Sequence, residues 1–295
     1  MKLFKKLFTA ALVFFILLSS AGIVYVLFQE ETFEIKKTKK EIKQATKQIT
    51  KKTVREKSTT SKSPSVKASF IREASIIIDD IGYDINALKS LMKIDADLTF
   101  AILPFQAHSL ESAEMLHKAQ KEILLHLPME PVSYPQEKPG EGALFTDMSD
   151  EEIVLQLKRD IAAVPYVSGV NNHMGSKFMM DKQKLFLVFK ELKKSNMFFV
   201  DSRTSADTKT VPAAKKAGLK VAQRKIFIDN NRNYNEIHNN LMSVARGDDI
   251  SPIIIIGHPY PETIEALKDA TKILRDKGVL IVPLSMIMKK QKATD

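Results

Sequence analysis

Five short apolar runs in this chain end on an acid or a histidine: SIIIDD (75–80), EILLH (122–126), SGVNNH (168–173), MFFVD (197–201) and SPIIIIGH (251–258). They deliver Asp79, Asp80, His126, His173, Asp201 and His258 to the ends of what read as buried parallel strands. In folds that alternate strands and helices, ligands gather at the carboxyl ends of the strands. Carboxylates and imidazoles converging there are the donor set of a hydrolytic metal ion. The chemistry this pattern predicts is hydrolysis by a metal-activated water.

The roles divide by residue type. Of Asp79 and Asp80, one is expected to bind metal and the other to take a proton from bound water; the bland alternative is loop capping. Because side chains alternate along a strand, the two carboxylates share one face only if the chain turns, and Gly82 is the expected turning point. His126 reads alone as a hydrogen-bonded core histidine, and only its company makes it a ligand. Glu130, four residues on, is either a further ligand or a group orienting a ligating histidine. Asn171 and Asn172 before His173 are either turn residues or groups that contact a sugar or metal. Arg203 and Tyr260 stand at two further strand ends, and all four are expected to contact substrate. A carboxylate beside a histidine fixes its tautomer and raises its pKa, which suits Asp201 and His258 to general acid catalysis.

The elements that position these groups alternate regularly. Strands are expected at 75–82, 97–103, 122–127, 169–173, 197–201, 220–228, 252–258 and 279–284. Helices are expected at 84–92, 109–120, 150–164, 181–195, in a short segment closed by Gly218, at 235–246 and at 261–276. Ser149 and Glu152 form a capping box for the third helix. The residues between 128 and 148, rich in Pro, Gly and Glu, read as one long loop. This α/β pattern implies a distorted (β/α) barrel of about seven to eight strands spanning 70–295. Phe186, Phe189 and Leu192 have core spacing, and His108, His117 and His238 are expected on helix surfaces or starts rather than as ligands.

The N-terminal part is different in kind. Leu7–Phe28 carries no charge over 22 residues and follows three lysines, so residues 1–28 read as a membrane anchor, with a cleaved signal peptide as the alternative. Residues 29–69 are rich in Lys, Thr and Ser and read as a basic solvated linker, or as a strip held against anionic polymer or lipid. Residues 1–69 hold 15 Lys/Arg and 5 Asp/Glu, whereas the rest holds 30 of each. This distribution argues against a uniformly basic nucleic-acid-binding domain, and no nucleic-acid partner is expected. The lysines after the apolar run oppose export of the domain, while the export-like start favours an extracytoplasmic one, which is the expectation here.

SIIIDDIGYD, LTFAILPF, LLHLPMEP, GVNNHMGSKF, FFVDSRTSA and IIIIGHPYPETIEAL together resemble the divergent branch of the polysaccharide deacetylase family over about residues 74–286. The resemblance implies a distorted α/β barrel that hydrolyses N- or O-acetyl groups of glycans with a divalent metal. It implies Asp79 as catalytic base, Asp80 and His126 as metal ligands, and Asp201 with His258 as the acid–base pair. His258 with Thr263, Ala266 and Leu267 fits the family's last motif. The main branch has a second metal histidine four residues after the first, where this chain has Glu130. Either Glu130 ligates or His173 supplies the imidazole; Asp80, His126 and His173, holding zinc, is the set expected. The rival reading is a non-catalytic glycan-binding or envelope-assembly module.

Overall fold

Each Ile- and Val-rich run forms a strand of one parallel sheet in the computed structural model, which describes residues 72–246 and 249–290. The segments 1–28 and 29–69 lie outside the described residues. The strands are β1 (Arg72–Ile81), β2 (Thr99–Ile102), β3 (Glu122–Met129), β4 (Gly169–Met174), β5 (Phe198–Asp201), β6 (Val221–Gln223), β7 (Ile226–Phe227), β8 (Ile253–Gly257) and β9 (Val279–Ile281). Between and after them run α1 (Ile85–Leu91), α2 (Ser109–Lys118), α3 (Asp150–Ala163), α4 (Lys182–Lys194), α5 (Thr210–Ala217), α6 (Tyr234–Ser243), α7 (Pro261–Asp276) and α8 (Leu284–Lys290). Helix starts follow side-chain chemistry. Asp84, Asp181 and Asn233 accept first-turn N–H groups, and Ser149 with Glu152 forms the reciprocal box.

The sheet order is β6-β5-β4-β3-β2-β1-β8-β7, with β9 added beside the start of β1. Its two edge strands are neighbours in sequence. The stretch expected as one strand over 220–228 pairs with β5 through Val221–Gln223 and then with β8 through Ile226–Phe227. Arg224 N–H still donates to Asp201 O, at 2.9 Å, whereas Lys225 N–H has switched to Ile254 O, at 2.8 Å. One segment thus joins both edges and curls the sheet into the expected barrel.

Alternation divides the apolar residues into two cores. Ile76 and Ile78 of β1 pack outward in the layer shared with the helices, together with Phe100, Leu125, Val170 and Phe199. Ile77 packs inward with Ala101, Leu124, Val200 and Ile256, and Leu284 and Met288 of α8 join this inner cluster. Helix α8, which the sequence reading missed, is held at its start by Thr99 Oγ1, accepting from Leu284 N–H, and by the Glu122 carboxylate, accepting from Ser285 N–H. No helix among the described residues is long and apolar enough to cross a membrane.

Candidate active site

The inward face of β1 continues past Ile77 to Asp79, and a break in register brings Asp80 to the same mouth. Ile78 pairs with Phe100 but Ile81 with Ile102, so β1 has three steps where β2 has two. Asp80 absorbs the extra residue in a left-handed conformation (φ 56°), which Asp tolerates better than most side chains. The turn that gathers both carboxylates is therefore at Asp80 itself, not at Gly82 as the sequence implied.

Adjacent strands supply the imidazoles. His126 of β3 lies opposite Asn171 of β4, and His173, two residues further, falls on the same side of the sheet. His126 Nε2 and His173 Nδ1 lie 3.2 and 3.1 Å from Asp80 Oδ1 and 3.1 Å from each other. These three atoms form a group able to hold one metal ion. Asp80 Oδ1 is buried with no hydrogen-bond partner, the mark of an oxygen built for a ligand. Metal–donor bonds of about 2.0–2.2 Å place tetrahedral donors roughly 3.3 Å apart, so the separations suit a small divalent ion.

Around this triad each polar group is held by a second one. Asn171, fully buried, donates through Nδ2 to Asp79 Oδ1 at 2.7 Å and accepts at Oδ1 from His126 Nδ1 at 2.9 Å. The Asp79 carboxylate accepts, which fixes the amide's orientation and puts a proton on His126 Nδ1, leaving Nε2 as the ring atom that faces the triad. Burial opposes a charge on His126, but Asp79 and Asp80 outweigh it and hold its pKa at about 9. Burial opposes charge on Asp80 too, and the two imidazoles reverse this, driving its carboxyl far below the usual range. Asp79 moves the other way. Burial, reinforced by the Asp80 charge, raises its pKa despite His126 and His258, leaving a more basic carboxylate.

His258 follows β8 with Nε2 3.8 Å from Asp80 Oδ2. The carboxylate that orients it is Asp229, not Asp201. Asp229 Oδ1 lies 3.0 Å from His258 Nδ1, and its Oδ2 accepts from His258 N–H at 2.6 Å and from Thr263 Oγ1 at 2.8 Å. Burial would lower the His258 pKa, yet Asp229, Asp79 and Asp80 raise it. Asp229 reaches this position because residue 257 is glycine: a Cβ there would stand 2.8 Å from two atoms of Ile228 and 3.3 Å from Asp229 Oδ2.

Burial and bonding correct the expectations for Asp201, Asn171 and Asn172, and leave Glu130 outside the triad. Asp201 is fully buried and spends its carboxylate on Arg203 N–H and Thr210 Oγ1, both at 2.7 Å, so it fixes the β5–α5 turn. Glu130 is no member of the triad. Its oxygens take Thr146 N–H and Oγ1 and the Lys177 ammonium, tying the 130–148 loop to the turn after β4. Burial opposes its charge, but these bonds lower its pKa. Asn171 and Asn172 are buried and committed to protein partners, Asn172 to Met174 O and Ser202 N–H, so they support the site rather than face a substrate. Arg203 and Tyr260 stay partly exposed at the mouth. His108, His117 and His238 lie away from the triad, against Glu111, Tyr166 and Tyr234.

The sequence profile of the family described as divergent polysaccharide deacetylase matches residues 76–288. The uncharacterized protein YibQ of Escherichia coli (strain K12) is 34% identical over 221 residues, covering 74% of this chain and 68% of that protein. A protein of Haemophilus influenzae (strain ATCC 51907 / DSM 11121 / KW20 / Rd) is 28% identical over 195 residues, 66% of this chain and 69% of its own. In structure, the uncharacterized protein ATU2773 from Agrobacterium tumefaciens C58 shares the fold with a TM-score of 0.69 at 19% identity, covering 75% of this chain and 91% of that one.

Proposed function

The chain belongs to the divergent polysaccharide deacetylase family, and on that premise we propose that it is a divalent-metal-dependent hydrolase removing acetyl groups from an envelope or extracellular polysaccharide. The observation that carries this reading is the meeting, at one strand-end mouth, of a metal triad with a buried base and a carboxylate-held imidazole. Asp80, His126 and His173 would hold the ion, zinc by the two imidazoles and one carboxylate. When bound, such an ion polarises the acetyl carbonyl and acidifies a water. Asp79 accepts that water's proton as the oxygen attacks the carbonyl carbon. His258, held through Nδ1 by Asp229, gives the Nε2 proton to the departing nitrogen or oxygen. One water is consumed, and acetate and a free amine or hydroxyl leave.

The test is acetate release by the full chain, supplied with zinc, from a panel of acetylated peptidoglycan and chitin fragments. Release is expected, and Asp79→Asn should lower turnover by roughly 10²–10⁴-fold with metal content unchanged. A wild-type chain that binds fragments yet frees no acetate from any of them would move the reading to a glycan-binding or envelope-assembly module.

For location, the uncharged Leu7–Phe28 run supports a single N-terminal span with the domain outside the cytoplasm. Protease added to spheroplasts should cut within 29–69. A protected segment would place the domain in the cytoplasm.

A further inference from the structure

His258 sits in the middle of a ladder of rings that ends in an arginine on each side. On one side Phe227 meets the imidazole edge-on at 5.2 Å, and the Arg224 guanidinium lies 4.8 Å from the Phe227 centroid. On the other, Tyr260 stacks on the imidazole at 5.3 Å and 26°, and Arg232 lies 3.7 Å above the Tyr260 ring. Arg224 is half-buried and fixed by two backbone carbonyls, Ser202 O at 2.7 Å and Arg203 O at 3.2 Å. Arg232 is exposed and preorganised on its ring. Among the described residues, only Arg72 and Arg275 have guanidinium groups in ion pairs with carboxylates, so neither arginine of the ladder is ion-paired.

Asp229 is bonded to His258 and Thr263, and Asp201 to Arg203 N–H and Thr210, so neither carboxylate forms an ion pair with the arginines of the ladder. A substrate bringing its own negative charge would supply the missing partner. Planar guanidinium groups also match carboxylate and phosphate geometry.

We infer that the glycan acted on at this site is acidic, carrying a carboxylate or phosphate close to the acetylated position, with that anion docked on Arg232 beside the Tyr260–His258 stack. This rests on the deacetylase reading for the word substrate, but it can be tested without catalysis. Arg224 supplies a second, fixed positive edge deeper in the same mouth. Tyr260 serves as the spacer that sets how far the anion lies from the proton donor.

The experiment is equilibrium binding by calorimetry with the full chain at low and at physiological ionic strength. The probes are a neutral N-acetylglucosamine tetrasaccharide, a tetrasaccharide of the same length whose alternate sugars carry a carboxylate, and one carrying a phosphomonoester. The acidic probes should bind about tenfold tighter than the neutral one, with the gap narrowing as salt rises. Arg232→Gln should remove most of the preference and leave neutral binding unchanged, while Arg232→Lys should keep part of it. Whichever acidic probe gains more identifies the anion as carboxylate or phosphate. Equal binding of neutral and acidic probes, a preference that survives Arg232→Gln, or no binding of any probe would overturn the inference. Because acetate is not measured, the acidic preference stands or falls by this binding experiment, and the enzyme reading by the separate acetate-release test.

Discussion

Asp160 offers a test of the physical reasoning that does not depend on catalysis. It lies on α3, fully buried, with Oδ1 accepting from Gln156 Nε2 at 2.7 Å and Oδ2 without any partner. The 130–148 loop closes over it so tightly that a Cβ on Gly142 would stand 2.6 Å from Asp160 Oδ1 and 3.0 Å from the Phe105 ring. Burial raises its pKa from 3.8 to about 7, against the opposing effects of Gln156 and Arg159. A folded-state pKa above the unfolded one means that the folded chain holds the proton more tightly. The associated stability is full below about pH 4 and is lost as pH climbs through about 7. A shift of that size corresponds to roughly 4 kcal/mol. Asp160→Asn cannot ionise, and its amide oxygen still accepts from Gln156. The variant should match wild type near about pH 4 and exceed it by a few kcal/mol at about pH 8. Urea unfolding of the full chain across this range, followed by far-ultraviolet circular dichroism, measures the difference directly. A constant difference at every pH would show that Asp160 does not ionise on the way to neutral pH, and that its environment has been misread.

Two further pairs of substitutions separate neighbouring groups. His173→Ala should abolish binding of one zinc per chain, whereas Glu130→Ala should leave zinc affinity intact and cost about 1–3 kcal/mol of stability through the loop it ties down; metal retained in the first or lost in the second would reverse the assignment. Asp229→Asn should cut turnover about 10²-fold or more without loss of metal, and should move the alkaline fall of activity to lower pH, because the carboxylate that raises the His258 pKa is gone. Asp201→Asn should lower stability and leave that pH profile in place; a shifted profile for Asp201→Asn alone would restore it as the orienting acid.

The strands, and with them the grouping of Asp80, His126 and His173, were legible because each is a short apolar run with a polar terminus. The signal failed where a strand was not a strand throughout. Lys220–Ile228 looks continuous in sequence, yet changes partner between Arg224 and Lys225, and its second half ends at Ile228 followed by Asp229. KIFID carries the same run-then-acid pattern as the five runs that were singled out, so Asp229 was there to be found. Asp201 attracted the role because it too ends a run; only hydrogen bonding tells a carboxylate facing Thr210 from one facing His258. Likewise, nothing in the spacing of Asp79 and Asp80 reveals a bulge that defeats alternation, and nothing in Asn171 announces burial. Helix α8 was missed because seven residues at the end of the domain make a weak periodic signal.

The change at position 130 looks in sequence like the loss of a ligand; under the assignment proposed above, the register makes it a relocation. A histidine four residues after His126 would lie beyond the end of β3, where the chain turns toward the long loop and position 130 faces Thr146 and Lys177. On β4, Asn171 is level with His126 and His173 is level with Pro128, both on the face that lines the mouth. An imidazole at 173 thus reaches the triad from within a strand, and the donor count of two imidazoles and one carboxylate is kept. The relocation also makes β4 the strand that carries both a triad member and Asn171, the amide that joins His126 to Asp79. Ligand, base and the group that sets the ligand's tautomer then come from β3, β1 and β4, and Glu130 is released to hold the 130–148 loop.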